Sequence, residues 1–278
     1  MNHVQLLAPL VLALGTASAA PTVLNLTATG QGYAGPATVQ AGYVQVSLRN
    51  TSGMPVDVGV FRLKPGVTEA QFRAAGTAVA TMAAKDADYN LGQMVDVLGG
   101  VGDVPPGQSD SAVLHLPPGT YILASLDADE ATHKTALSLG YEKPLTVTGP
   151  ELSNAPAGAD YTVNMVDYRF VLPANVTAGP HTWHVMNSGQ EPHFALLARL
   201  LPGKTMQDVM NAVMSSDQSG PPPVDFGHSV FAQVLTTGQA EDVTWNLTPG
   251  QYAVVCFVAS KNGMEHARMG MLQELTVK

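Results

Sequence analysis

His193, Cys256, His266 and Met271 put two imidazoles, a thiol and a thioether into the second half of a 278-residue chain. A thiolate and two neutral imidazoles bind copper strongly in a trigonal plane, and a methionine sulfur can sit farther off on the axis. Cys256 is the only cysteine, so it forms no internal disulfide. Taken alone, it would be a small buried apolar residue. Its neighbours change that reading. The spacing is C-x9-H-x4-M from Cys256 to His266 to Met271, and His193 arrives from an earlier segment. A metal held by all four would pin one loop to a distant strand. Met264 and Met269 are rival sulfurs on the same loop, and the H-x4-M count favours Met271.

The elements that must bring these groups together read mostly as strands. Residues 43–48 alternate with period two, residues 182–187 have strand length and content, and a Thr248-Pro249-Gly250 turn joins strands at 243–247 and 252–258. On the last of these, Tyr252, Val254 and Cys256 share a face. Short strands with Gly/Pro turns fit a sandwich of two sheets. One short helix interrupts each half, opening at Thr68 and at Thr205, with Thr68-Glu69-Ala70-Gln71 forming a capping box. Met206, Val209, Met210, Val213 and Met214 mark one helix face, which reads as packing against the sandwich rather than as a methionine array for Cu(I).

The two halves repeat. Residues 39–72 align without a gap to 176–209 with ten identities, including Asn50/Asn187, Pro55/Pro192 and Thr68/Thr205. Leu116-Pro117-Pro118-Gly119-Thr120-Tyr121 matches Leu247-Thr248-Pro249-Gly250-Gln251-Tyr252, and both copies end in Leu-Thr-Val. Two occurrences of so long a unit indicate two domains of one fold. The boundaries read as a signal peptide at 1–19, a first domain at 20–148, a Pro/Gly/Ser-containing linker at 149–158 and a second domain at 159–278. The signal rests on an apolar run at 6–14 and the small-x-small Ala17-Ser18-Ala19, and it implies export to the periplasm or beyond. No other stretch has the roughly 20 apolar residues a membrane span requires. A formal charge of −9 argues against a nucleic-acid partner.

Asn187-Ser188-Gly189-Gln190-Glu191-Pro192-His193 is an N-x4-P-H element, and Tyr252 stands four before Cys256. With the C-x9-H-x4-M loop, these motifs make residues 160–278 resemble a cupredoxin, the fold of plastocyanin, amicyanin, azurin and the blue-copper domain of copper nitrite reductases. The loop spacing is most similar to the last of these. Over 21–148 the resemblance extends through the repeat to the fold alone. It implies an all-β chain of two tandem cupredoxin-like Greek-key β-sandwiches, each with a short inserted helix. It implies one type 1 copper, with His193, Cys256 and His266 equatorial and Met271 axial. One departure is Phe194, where the family usually has an asparagine that braces the cysteine loop.

The first domain carries no such site, since Val56, Ser125, Ala136 and Tyr141 fall at the four ligand positions. His181 and His184 are three apart on a strand and face oppositely, while His115, His133 and His228 show no partner pattern. A two-domain copper oxidase or nitrite reductase would need histidines flanking the cysteine, and Val255 and Phe257 stand there instead. A copper with four protein ligands has no open position for substrate. The expected activity is therefore outer-sphere electron transfer to an unidentified redox partner protein, not enzymatic catalysis. Copper handling by Cys256, His266 and the loop methionines is one alternative, and a metal-free interaction module is another.

Overall fold

The computed structural model describes residues 19–129, 131–215 and 220–278. The expected leader lies outside them except for Ala19. The first half contains β1 (Thr22–Thr29), β2 (Gly32–Ala34), β3 (Thr38–Gln40), β4 (Gly42–Asn50), β5 (Val56–Leu63), β6 (Val95–Val104), β7 (Ser109–Leu116), β8 (Gly119–Ala124), the short pair β9 (Ala128–Asp129) and β10 (Lys134–Thr135), and β11 (Glu142–Thr148). The second half contains β12 (Tyr161–Val166), β13 (Arg169–Val171), β14 (Gly179–Asn187), β15 (His193–Leu200), β16 (Val224–Leu235), β17 (Ala240–Leu247), β18 (Gly250–Val255) and β19 (Leu272–Val277).

These strands form two tandem cupredoxin-like Greek-key sandwiches whose sheets run on into one another. One sheet has the order β13-β12-β14-β17-β7-β4-β1-β2, and the other β19-β18-β15-β16-β6-β5-β8-β11-β3. The halves meet at β17–β7 and β16–β6, both antiparallel. Ala112 lies opposite Val243, its own counterpart in the repeat. The two copies are thus related by a pseudo-two-fold axis, as in an isologous dimer. Continuing the sheets also covers four strand edges, those of β7, β17, β6 and β16, that would otherwise be open to wrong pairing.

Strand alternation fills the core. Leu24 and Leu26 of β1, Val44, Val46 and Leu48 of β4, and Trp183 and Val185 of β14 all point inward. The outer face of the second sheet is covered by helices. α1 (Glu69–Ala78) and α2 (Ala84–Met94) lie over Phe61, Val95 and Ile122, and α3 (Met206–Met214) lies over Ala198, Val224 and Ala253. Both α1 and α3 begin with a capping box, Thr68 with Gln71 and Thr205 with Asp208. The first half has a second helix, α2, that the sequence reading does not include. It has no side-chain cap and few apolar positions, so nothing local announces it. On α3 only Met206, Val209 and Val213 pack inward, while Met210 and Met214 are exposed.

The linker is pinned to the sandwich. Asn154 is fully buried and brackets Tyr43, accepting its N–H and donating to its C=O, both at 2.8 Å. Among the described residues no helix is long and apolar enough to cross a membrane.

Candidate metal centre

His193 opens β15 because the preceding turn is locked. The buried Asn187 side chain donates to Glu191 O at 2.8 Å and Leu235 O at 2.7 Å, and accepts from Gly189 N at 2.8 Å. The asparagine thus closes the N-x4-P element onto itself. Gly189 is required there, since a Cβ would come within 2.4 Å of Asp167 Oδ1 and 2.8 Å of His193 Nε2.

Cys256 follows β18, which ends at Val255 rather than at the expected residue 258. Three main-chain bonds shape the loop: Cys256 N to Met271 O at 3.2 Å, Ala267 N to Cys256 O at 2.8 Å, and Met271 N to His266 O at 2.9 Å. The first half makes the same three bonds, Ser125 N to Tyr141 O at 3.1 Å, Leu137 N to Ser125 O at 2.9 Å and Tyr141 N to Ala136 O at 3.1 Å. The scaffold is retained there while Val56, Ser125, Ala136 and Tyr141 occupy the four corners, all buried.

In the second half the donors converge. His193 Nδ1 and His266 Nδ1 are 2.9 Å apart, and Cys256 Sγ lies 4.0 and 3.6 Å from them. All three side chains are fully buried. These separations suit donors about 2.0–2.3 Å from one common ion. Met271 is also fully buried and belongs to the same core as Cys256. Met269 lies half-buried in a 3-10 turn (His266–Met269), and Met264 is exposed.

The outer edges of both imidazoles end on carboxylates. His193 Nε2 meets Asp167 Oδ1 at 2.8 Å, and His266 Nε2 meets Glu191 Oε2 at 2.9 Å. Such carboxylates draw the ring protons to Nε2, leaving lone pairs on the two Nδ1 atoms. Two lone pairs facing each other at 2.9 Å repel unless a cation lies between them. The donor chemistry therefore fits a metal, and the two nitrogens and one sulfur of His193, Cys256 and His266 are a set suited to copper.

Electrostatics prepare the ligands unequally. Burial pushes the Cys256 thiol up to about 12, although the N–H groups of Phe194 and Val258 favour the thiolate. Phe194 thus contributes its main chain at the position where the resemblance expects an asparagine side chain. His193 is held below the ordinary imidazole value, chiefly by burial, so its neutral ligating form prevails near pH 7. Burial opposes the charge of Asp167, but the N–H groups of Gln190 and Glu191 and the His193 ring outweigh it and hold the carboxyl low.

Sequence reasoning did not find Asp167, Glu191 or Tyr168. Tyr168 packs edge-on against His266 and donates its hydroxyl to Glu191 Oε1 at 3.2 Å. Asp88 of α2 was also missed, and it accepts from Ala259 N on the ligand loop at 2.9 Å. Four further histidines lie elsewhere, His181 against Asp160, His184 against Asp242, His115 against Glu151 and His228 against Asp225.

No family model matches the chain, and no curated protein matches it. Among solved structures it is similar to auracyanin B in space group P65, at 18% identity and TM-score 0.29, over 45% of this chain and 93% of that one. It is also similar to dithionite-reduced auracyanin from the photosynthetic bacterium Roseiflexus castenholzii, at 20% identity and TM-score 0.28, over 44% of this chain and 99% of that one.

Proposed function

We propose that this chain is an exported one-electron carrier in which His193, Cys256, His266 and Met271 would hold one copper ion. The observation that carries the reading is the convergence of two Nδ1 atoms and one Sγ in a buried, carboxylate-backed cluster. Bound copper would supply a Cu(II)/Cu(I) couple. The chain's part is to fix the ligands. Asp167 and Glu191 hold each imidazole in one tautomer and one orientation. The buried cage excludes water, and its rigidity limits the rearrangement between the two charge states. The main-chain bonds of Met271 to His266 and Cys256, together with its burial, support it over Met269 as the axial ligand.

Carrier is favoured over oxidase because neither neighbour of Cys256 is a histidine. A second reading, in which the protein binds Cu(I) and passes it on, draws on Met264, which lies exposed on the ligand loop. Titration of purified protein with Cu(II) separates them. Electron transfer requires an intense blue or green thiolate-to-copper band that Cys256→Ser abolishes with the fold intact. Colourless but tight Cu(I) uptake favours handling, and no uptake near neutral pH rejects both. Sequencing the amino terminus of the secreted protein tests export, with a start at Ala20 expected.

A further inference from the structure

The first sandwich carries a different ligand set at the end where the second holds its copper ligands. Asp57 directly follows Val56, the counterpart of His193, and Asp127 lies two beyond Ser125, the counterpart of Cys256. One carboxylate oxygen from each of Asp57, Asp103 and Asp127 lies within 4.8 Å of the others. Asp57 forms the buried floor, with Oδ2 accepting from Gln233 Nε2 at 2.6 Å. Its Oδ1 has no hydrogen-bond partner. Ser125 is fully buried and turns its hydroxyl toward Asp57, yet that oxygen closes no hydrogen bond of normal geometry either. Asp103 and Asp127 are open to solvent above them.

Buried oxygens without partners are costly, and a polar ligand is among the few things that explain them. Three carboxylates this close cannot all be ionised without a counter-charge; otherwise protons hold them, as in the Asp103–Asp127 side-chain hydrogen bond. Without a counter-charge, the charge of Asp57 and then burial push Asp127 up to about 8, and burial pushes Asp57 to about 6. We infer that Asp57, Asp103, Asp127 and Ser125 form a binding site for a hard divalent cation, calcium by preference. Every donor is oxygen, which suits calcium and offers Cu(I) none of the soft sulfur it selects. The exposed side leaves room for water to complete a shell of about six to eight oxygens, in a geometry looser than magnesium accepts. Gln233 reaches Asp57 from the second half, so the site also sits on the junction between the sandwiches.

Calorimetric titration and thermal unfolding of the full chain with calcium chloride test the site. One equivalent of calcium should bind and raise the melting temperature. Asp127→Asn and Asp103→Asn, both at exposed positions, should weaken binding by about tenfold or more while leaving the Cu(II) colour titration unchanged. The inference is overturned by no heat and no melting shift up to roughly 10 mM calcium, or by wild-type affinity in both variants. Tighter binding of magnesium than of calcium overturns the calcium assignment.

Discussion

His266 Nε2 lies 2.9 Å from Glu191 Oε2, and the other oxygen of that carboxylate takes the Tyr168 hydroxyl at 3.2 Å. The outward edge of the His266 ring therefore ends on a negative charge, beneath an aromatic ring whose centroid is 5.0 Å away. His266 itself is fully buried, so Glu191 and Tyr168 stand between this edge of the ring and solvent. With a metal bound at His266, this carboxylate would favour the more highly charged metal state.

Neutralising Glu191 should raise the reduction potential. One carboxylate charge an imidazole's width from the metal, partly exposed and so partly screened, alters the couple by on the order of 100 mV. Glu191→Gln keeps the hydrogen-bonding shape and should show that upward shift in voltammetry with little change in the thiolate-to-copper band. An unchanged potential would mean that the contact only orients the ring.

Met271→Leu is close to volume-conserving and should cost less than about 1.5 kcal/mol of stability. It should keep the colour, because the band belongs to Cys256, and shift the potential upward with the loss of the axial sulfur. Met269→Leu should move neither. A shift in the Met269 variant instead of the Met271 variant would reassign the axial ligand.

The sequence marks His193, Cys256, His266 and Met271 because their residue types are scarce and their order is unusual, and it marks β4 by alternation and β14 by its length and content. It marks Asp167 and Glu191 much less, since surface carboxylates are common and their roles depend on the close approach that Gly189 permits. The pairing of Ala112 with Val243 has no local signature, because strands meet across a pseudo-two-fold axis without any turn to set their register. Asp57, Asp103 and Asp127 are scattered along the chain and become neighbours only through the fold. On α3 the 3.6-residue period gives the helix, but only Met206, Val209 and Val213 pack inward, and Met210 and Met214 stay exposed.

Protons should compete with copper in a defined way. The Cys256 thiol, raised by burial to about 12, is protonated throughout the neutral range and must release its proton on binding. His193, lowered mainly by burial, is already neutral there and releases none. Between about pH 7 and 9, affinity should therefore fall about tenfold for each unit of acidification. Calorimetry in two buffers of different ionisation enthalpy should give one proton released per copper. Two or more near pH 8 would contradict the neutral state of His193.

Glu241 should set part of the pH dependence of stability. It is buried in β17 and accepts N–H bonds from Gly100 at 2.7 Å and Gln233 at 2.8 Å, tying the two halves together. Gly99, at φ +104°, makes room, since a Cβ there would lie 2.3 Å from Glu241 Oε2. Burial raises this carboxyl from its ordinary value to about 8. The folded state therefore keeps a proton that the unfolded chain gives up at lower pH. The resulting stability is fully present below the unfolded value and is lost as pH rises through about 8. Urea midpoints of copper-free, calcium-free protein should fall from about pH 5 to about pH 9. Glu241→Gln should cost about 1 kcal/mol at the acid end, where one N–H loses its acceptor, and should make the decline shallower. Asp57 and Asp127, raised in the same direction, and the Cys256 thiol contribute to the slope that remains. A variant as steep as the parent would show that Glu241 is not a source of the linkage.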